Sequence, residues 1–335
     1  MPRRFASALL IISILVFLIL FGGTFFAESI AYIGVYEFFS TFSQLVGRTW
    51  KPLLVGSILF SFLRTFFYEG YFLAGLSGPG IRSWFFAFVL GILEPPFSFS
   101  VISRMASLYR SGVHMGAIFV YSLSSVFFSF PLVVLLYGIW SMDIMKWYGI
   151  LGLMSLIFFG AMGELVSGFR LVAPFILARR NPSKPIVLIS FSYIQSLRFK
   201  GYLSLVLSRF SEFWKYSFPS WVFGLCILGL MQAAFSNETL QMFLGNDLLG
   251  QIGVLILSMI LPLYGIAGLV VGVHSVDLYS GLGTLMMLML ASFFWKCVFE
   301  AAPHKLYLKS WKISFLIILF VGMFLLGYVG NFLVS

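Results

Sequence analysis

The sequence predicts an all-α, polytopic membrane protein with two repeated halves and Pro-broken or re-entrant segments. Of its 335 residues, 61% are hydrophobic and 10% are charged, and the mean hydropathy is +1.03, whereas soluble domains are only about half apolar. Apolar runs long enough to cross a bilayer follow one another with short loops between them, which gives room for about eight to ten transmembrane helices. The third observation is a similarity between the two halves of the chain at a nearly constant spacing.

The charge and the cysteines exclude several classes of function. The net charge of +10 is explained by basic loops on the cytoplasmic side of a membrane, so nucleic acid is not an expected partner. Cys226 and Cys297 lie in separate apolar segments without a CxxC motif, which predicts neither a disulfide framework nor a zinc site. No catalytic motif with a recognisable spacing occurs. We therefore expect no enzyme, no cofactor and no metal.

Residues 1–51 are predicted to anchor the chain. Two arginines precede an apolar run from Phe5 to Phe26 that is too long for a signal-peptide core and lacks a cleavage site. This pattern indicates a retained signal anchor with a cytoplasmic N-terminus. The next stretch, Ile30 to Val46, is either a second, cavity-facing span or an interfacial helix. Arg48 and Lys51 are expected to end it on the inside face.

Residues 52–178 are predicted to form the first membrane repeat. A span is expected from Pro52 to about Phe67, and a glycine-rich turn separates it from an apolar segment over Trp84 to Ser107. A further long apolar run reaches from Gly112 to Trp140. Tyr148 to Leu177 forms the last apolar segment of this half.

Residues 179–218 are predicted to form a basic cytoplasmic linker. Seven of the eight charged residues from Arg179 to Lys215 are basic, and the positive-inside rule assigns such a loop to the cytoplasm. Its interior, Ile186 to Phe210, alternates apolar and basic residues. This alternation favours an amphipathic helix that lies on the membrane face.

Residues 219–335 are predicted to form the second membrane repeat and a C-terminal span. The expected spans are Trp221 to Phe235, Ile252 to His274, Leu282 to Phe299 and Ser314 to Val334. Lys305, Lys309 and Lys312 form another basic loop. If both basic loops are cytoplasmic, an even number of crossings separates them, yet three apolar segments lie between. One segment is therefore expected to be re-entrant, with its break at Pro262.

The stretch from Leu90 to Gly116 contains the first candidate for a functional site. Its apolar run meets the carboxylate of Glu94 and then Pro95 and Pro96. A proline pair frees backbone groups that lipid cannot satisfy, so the broken backbone must face protein or a water-filled cavity. In that interpretation Glu94 lines the cavity and couples transport to protons. Alternatively, the prolines begin a helix and Glu94 is an interfacial or capping carboxylate.

Other ionisable residues in or near the predicted spans are candidates because charge inside a membrane is costly. His274 and Asp277 could form a proton relay or a solvated helix end. Several serines could contact a substrate or form hydrogen bonds between helices. The remaining ionisable residues are Arg104, His114, Glu164, Lys296 and Glu300. The predicted substrate-binding or proton-coupling residues are Glu94, Pro96, Ser98, Ser100, Ser124, Ser125, Pro262, Tyr264, His274, Asp277 and Ser292.

An internal repeat relates the two halves of the chain. The shift between paired positions is nearly constant along the chain, which favours a duplication over a coincidence of apolar composition. The paired positions are Leu53–Phe67 with Trp221–Phe235, Gly56 with Gly224, Pro96 with Pro262, Gly116 with Gly283, and Leu123-Ser124-Ser125 with Leu290-Ala291-Ser292. Transporters built from repeats commonly bind their substrate where the repeats meet, on interrupted helices.

Four motifs of the second half occur in an order that resembles a known family. They are Gln232-Ala233-Ala234-Phe235, the loop Phe243–Gly250, the proline motif Leu261-Pro262-Leu263-Tyr264, and Leu290-Ala291-Ser292. Their order and spacing resemble the bacterial predicted permeases that include the organoarsenical efflux permeases. The resemblance covers residues 52–175 and 221–299.

This resemblance implies a multi-pass permease of the inner (plasma) membrane, with a midplane cavity between two proline breaks. Where the family has Cys-Ser-Cys, this chain has Ser98-Phe99-Ser100 and Gly265-Ile266-Ala267-Gly268. Trivalent arsenic is a soft, thiol-seeking centre, so the arsenical substrate is not expected. Hydroxyl and backbone ligands favour an oxygen-rich, amphipathic or weakly acidic solute.

The alternative is a degenerate permease-like subunit that acts as a structural or assembly partner of another membrane protein. The two hypotheses differ in whether the cavity is open and polar or filled by Phe97, Phe99 and Tyr264. In both cases the expected partners include the lipid bilayer. A small-molecule solute is expected for the permease, and a homo-oligomer or a membrane-protein partner remains open.

Overall fold

The computed structural model describes most of the chain as helices joined by turns. The described residues are 3–25, 33–66, 75–76, 80–95, 101, 104–105, 107–108, 111–168, 199–245, 247–260, 266–268, 270–271, 282–301, 321–329 and 331–332. They contain no β-strand, which confirms the predicted all-α class. The helices are α1 (Arg3–Thr24), α2 (Ile33–Phe66), α3 (Ile81–Ile92), α4 (Met115–Phe127), α5 (Phe130–Ile139), α6 (Met142–Gly168), α7 (Phe199–Ala234), α8 (Asn237–Leu244), α9 (Leu248–Ile260) and α10 (Leu282–Ala301). Residues 321–329 and 331–332 are also helical, and we call them the C-terminal segment.

Several of these helices have the length and composition of membrane spans. Within the described ranges, four helical stretches are long and apolar enough to cross a bilayer: Ser7–Thr24, Met115–Ile139, Met142–Leu165 and Lys200–Ala234. The first of them exposes apolar side chains along its length, among them Ile11, Leu15 and Ile19. A face of this kind is suited to lipid rather than to water. The chain is therefore a membrane protein.

Two helices are longer than the sequence indicated. α2 continues through Arg48, Lys51 and Pro52, so the stretch expected to end at Lys51 and the span expected to begin at Pro52 are one helix of 34 residues. α7 has 36 residues and contains Pro219, so the end of the predicted basic linker belongs to the same helix as the span that follows. At 1.5 Å per residue the two helices are about 51 and 54 Å long.

α2 and α7 pack against each other in opposite directions over most of their length. Trp221 donates its indole N–H to Thr49 at 2.9 Å, and Trp214 donates to Ser57 at 3.0 Å. Residue numbers rise along α2 while those of its partners fall along α7, so the pair is antiparallel. Pro52 and Pro219 each lie between these two hydrogen bonds. Both prolines therefore lie near the middle of the contact.

α4 lies in the centre of the molecule, and all of its residues are buried. α3 runs parallel to it and α6 runs antiparallel to it. Where α3 crosses α4, a Cβ added at Gly91 would overlap Ser124 Oγ and lie 2.5 Å from the carbonyl oxygen of Tyr121. Close backbone approach through small residues is the usual way in which helices pack in membranes. Gly91 therefore sets the distance between α3 and α4.

The apolar run predicted from Gly112 to Trp140 is divided into two helices. α4 ends at Phe127 and α5 begins at Phe130, with Pro131 in its first turn. Proline lacks an N–H and clashes with the carbonyl four residues earlier, which here belongs to Phe127. The helix therefore breaks at residues 128–129, inside one of the candidate spans.

In the second half, α9 and α10 form the main pair, and the C-terminal segment packs beside α10. Residues 282–293 of α10 are all buried, including Met286, Met287 and Met289, which pack in the apolar core. Gly283 lies against the backbone of Gly327 in the C-terminal segment. The core therefore contains α4 from the first half and α10 from the second.

We predict that Gly91→Ala destabilises the protein, since the added methyl group meets Ser124 and the fixed backbone of Tyr121. Overpacking of this kind costs about 1–3 kcal/mol. Gly149→Ala on α6 is the matched control, because a Cβ there has nothing within 4 Å, and replacing an open helical glycine stabilises by up to about 1 kcal/mol. Thermal unfolding of the purified protein in detergent measures both changes. An unchanged melting temperature for Gly91→Ala would contradict the close crossing.

Candidate functional site

Glu94 lies at the end of α3, beside the proline pair. α3 ends at Ile92 because the residue before a proline disfavours the helical conformation. The Glu94 carboxylate is 2% exposed and forms an ion pair with Nη1 of Arg104, which is 34% exposed. The carboxylate is therefore buried inside the protein and shielded from bulk water. Because a charge is costly to bury alone, Arg104 stabilises it.

A second carboxylate, Glu164, joins three elements. Its Oε1 accepts hydrogen bonds from Trp84 Nε1 at 3.2 Å and from the backbone N–H of Gly80 at 3.5 Å, and its Oε2 lies 3.4 Å from His114 Nδ1. We call these four residues the Glu164 cluster. Gly80 is the N-cap of α3, so the carboxylate also faces the positive end of that helix. Sequence reasoning identified Glu164 and His114 as ionisable but did not pair them, because they are far apart in the sequence.

Glycines bring α4 and α6 together at the same place. A Cβ added at Gly116 would lie 2.7 Å from the carbonyl oxygen of Gly160 and 2.9 Å from Oε1 of Glu164. Only a glycine lets the two backbones approach this closely. Gly116 thus holds Glu164 next to the start of α4.

The second half contains a contact of the same form. A Cβ added at Gly283 would meet the carbonyl oxygen of Gly327 and lie 2.7 Å from Oδ1 of Asn331. Asn331 Oδ1 accepts a hydrogen bond from the Thr284 backbone N–H at 3.2 Å, and Asn331 Nδ2 donates to Thr284 Oγ1 at 3.1 Å. The Thr284 hydroxyl donates to the carbonyl of Gly245 at 3.2 Å. We call Asn331, Thr284, Gly283 and Gly245 the Asn331 cluster.

The two clusters differ in chemistry. Glu164 carries a carboxylate that can gain or lose a proton and has an imidazole beside it, whereas the amide of Asn331 cannot change its charge. Asn331 is tied by two hydrogen bonds to Thr284. Within the described part of the chain, only the first of these clusters contains groups that titrate.

The predicted serines have different surroundings. Ser124 Oγ donates to the carbonyl of Tyr121 at 2.9 Å and Ser125 Oγ to that of Ser122 at 2.6 Å, so both bond within their own helix. With the described residues, neither forms the hydrogen bond between helices that the sequence suggested. Ser292 is buried in α10, and its hydroxyl has no hydrogen-bond partner among the described residues.

The break between α4 and α5 was not among the predicted sites. Tyr148 is buried and donates its hydroxyl to the carbonyl of Phe127 at 2.8 Å, which satisfies the last turn of α4. Ser129 is the N-cap of α5 and is fully buried, yet its hydroxyl forms no cap and has no partner in the described structure. The signal that could have located this break is Pro131 within the apolar run.

The other predicted site residues lie outside the described residues: Pro96, Ser98, Ser100, Pro262, Tyr264, His274 and Asp277. The side chains of Lys296 and Glu300 on α10 also lie outside them. The described side chains contain no group of three His, Cys, Asp or Glu that could hold a metal ion.

Comparison with protein-family models, with curated proteins and with solved structures finds no match for this chain.

We predict that Arg104→Gln destabilises the protein, because it removes the counter-charge of a buried carboxylate. The expected loss in the free energy of unfolding is about 2 kcal/mol, less than for fully buried pairs, since Arg104 is partly exposed. Lys146→Gln is the control: its partner Asp143 is 84% exposed, and breaking such a pair costs at most about 1 kcal/mol. Thermal unfolding in detergent measures both variants. Equal small losses would show that the Glu94 pair behaves as a surface pair.

Proposed function

We propose that this chain is a multi-pass permease of the plasma membrane that moves a small solute between two repeated halves. The observation that carries the proposal is the duplicated glycine contact. Gly283, Gly327 and Asn331 follow Gly116, Gly160 and Glu164 in the sequence by one and the same shift, and the two sets make matching contacts. This is also the shift that relates Leu123 to Leu290 in the internal repeat.

A duplicated contact is stronger support than a duplicated sequence pattern. Apolar composition alone can align two spans by chance, but it does not bring three aligned residues from two helices into the same arrangement. The helices involved also correspond, since the first residues of α4 and α10 are related by the same shift. α4 is buried along its whole length, and α10 is buried over residues 282–293. The proposal therefore places the meeting point of the repeats at the centre of the protein.

The packing of α2 on α7 supports an inverted relation between the halves. The shift that relates Gly116 to Gly283 pairs Pro52 with Pro219, within one residue of the shift that pairs Gly56 with Gly224, and both prolines lie near the middle of the antiparallel contact. Two equivalent helices that pack antiparallel at equivalent points are related by a two-fold axis perpendicular to them. If both helices cross the membrane, that axis lies in the membrane plane. Inverted repeats of this kind are typical of secondary transporters.

The same arrangement accounts for the charges in the sequence. With the N-terminus in the cytoplasm, α1 leads outward, α2 returns inward, and α4–α5 with α6 cross outward and back. The basic stretch that begins at Arg179 is then cytoplasmic. α7 leads outward and α10 inward, so the basic loop at Lys305 is also cytoplasmic. α9 has 13 residues, about 20 Å, which is too short for a full crossing and suits a re-entrant segment.

The chemistry of the clusters indicates how the halves could differ in function. If the two halves had identical side chains at these positions, protonation would change the charge of both halves in the same way. Here Glu164 and His114 can change charge, whereas Asn331 cannot. We therefore assign proton coupling to the first half, at the Glu164 cluster and at Glu94. The absence of paired cysteines from the resembled motifs argues against an arsenical substrate.

The proposal predicts that expression changes the growth of cells exposed to at least one compound in a panel of toxic small organic acids and amphipathic solutes. Cells that express the protein should also accumulate a different amount of that compound than cells that do not. Glu94→Gln should remove most of the effect, because the neutral amide cannot exchange a proton. Asp143→Asn, an exposed carboxylate on α6, is the matched control and should transport normally.

A panel without any expression-dependent change in growth or accumulation would contradict the permease. If the protein also co-purified with another membrane protein in constant proportion, the assembly-partner alternative would replace it. If Glu94→Gln does not change the effect of expression, Glu94 has no role in proton coupling, although the transport proposal still stands.

A further inference from the structure

The break between α4 and α5 places a helix N-terminus inside a candidate membrane span. The run from Met115 to Ile139 has no charged residue. The first turn of a helix carries a partial positive charge. In α5, Pro131 has no N–H and the Leu132 amide donates to the Ser129 carbonyl, so the Phe130 amide is the first-turn donor that does not bond back to Ser129. Because this run has no side-chain charge, the two helix ends at the break, the C-terminus of α4 and the N-terminus of α5, are its sources of potential, and the N-terminus of α5 is the positive one.

The two ends of the break are satisfied to different degrees. On the α4 side, the Tyr148 hydroxyl supplies the hydrogen bond that Pro131 cannot give to the Phe127 carbonyl. On the α5 side, the backbone carbonyl of Ser129 accepts from the amides of Leu132 and Val133, each at 3.0 Å. The Ser129 hydroxyl, in contrast, has no partner within the described residues.

An unpartnered hydroxyl at this place is unusual for two reasons. Serine at an N-cap normally accepts a hydrogen bond from the next turn, and Ser129 does not. Buried polar groups are nearly always hydrogen-bonded, since leaving one unpaired is unfavourable. The helix terminus and the buried hydroxyl are independent features, and both favour a polar, negatively charged ligand.

Aromatic rings of residues at and near the break pack against one another. The rings of Phe127 and Phe128 lie 6.5 and 6.4 Å from that of Tyr148, and Phe88 lies 5.6 Å from Phe128. Edge-on aromatic packing provides an apolar wall next to the polar helix end. A solute with one anionic group and an apolar body matches both surfaces.

We propose that the α4–α5 break binds the carboxylate of the transported solute, with the Ser129 hydroxyl and the N-terminus of α5 as the anion-binding groups. This assignment rests on the proposed permease function and names its substrate class, a small amphipathic organic acid. Ser129 is fully buried, so the structure corresponds to a closed state. The solute reaches the site when the helices around the break separate, as alternating access requires.

Cysteine chemistry tests the site without knowledge of the natural solute. Ser129→Cys is made in the full chain with Cys226 and Cys297 replaced by serine, and membranes are treated with anionic or cationic methanethiosulfonate reagents. Each modification rate is divided by the rate at which the same reagent modifies a free thiol in solution, which corrects for the reagents' different reactivities. We expect Ser129→Cys to react about fivefold or more faster with the anionic reagent, as a helix-terminus charge effect of usual size implies. Excess benzoate should slow the reaction.

Ser292→Cys is the matched control, because Ser292 is also buried without a partner among the described residues but lies within α10 rather than at a helix start. It should show no preference for the anionic reagent. If Ser129→Cys does not fold, Phe130→Cys in the first turn of α5 carries the same comparison. Equal rates, a preference for the cationic reagent, or no modification would overturn the assignment. If Ser129→Cys prefers the anionic reagent but the protein shows no effect in the growth and accumulation assay, the anion site stands and the permease function is wrong.

Discussion

The antiparallel contact between α2 and α7 is the interaction on which the arrangement of the two halves depends. Each helix has an internal proline, and the indole N–H groups of Trp214 and Trp221 reach hydroxyls on α2 on either side of those prolines. A buried indole N–H is usually hydrogen-bonded. These two hydrogen bonds therefore fix the register of one helix against the other, and with it the relation between the halves.

Close approach through glycine occurs at several of the other helix contacts. Gly91 on α3 lies against α4, and Gly116 on α4 lies against α6. A Cβ added at Gly56 on α2 would lie 3.0 Å from the Cα of Pro131 on α5. Lipid tails are as apolar as leucine, so burial of apolar surface does not drive helices together in a membrane. Shape complementarity at small residues takes its place, so a larger side chain at these positions would require the neighbouring helix to shift.

Sequence reasoning predicted the all-α class and the presence of membrane helices. Apolar composition is enough to identify membrane helices, and the alignment of Gly116 with Gly283 identified two glycines that have matching contacts in the structure. The ends of α2 were harder to predict. Arg48 and Lys51 suggest a boundary, but both are exposed on one face of the helix, where charges need not interrupt the backbone hydrogen bonds.

The site residues were less predictable because their partners are distant in sequence. Glu94 pairs with Arg104 across the proline break, and Glu164 pairs with His114 on another helix. Helical spacing rules describe neighbours three or four residues apart and contain no information about such pairs. The break before Ser129 was hidden for another reason, since Pro131 lies in a uniformly apolar run whose composition resembles that of a single continuous span.

The central claim is that α2 and α7 are equivalent helices with opposite orientations in the membrane. Under the proposed repeat, the shift that relates Gly116 to Gly283 pairs Tyr36 with Leu203 near the starts of α2 and α7, and these residues are 47% and 46% exposed. The most direct measurement is the labelling of Tyr36→Cys and Leu203→Cys with an impermeant thiol reagent, in right-side-out and inside-out vesicles from a strain whose protein lacks Cys226 and Cys297. The account predicts that Tyr36→Cys reacts only from the outside and Leu203→Cys only from the cytoplasmic side. Labelling of both positions from the same side would contradict it.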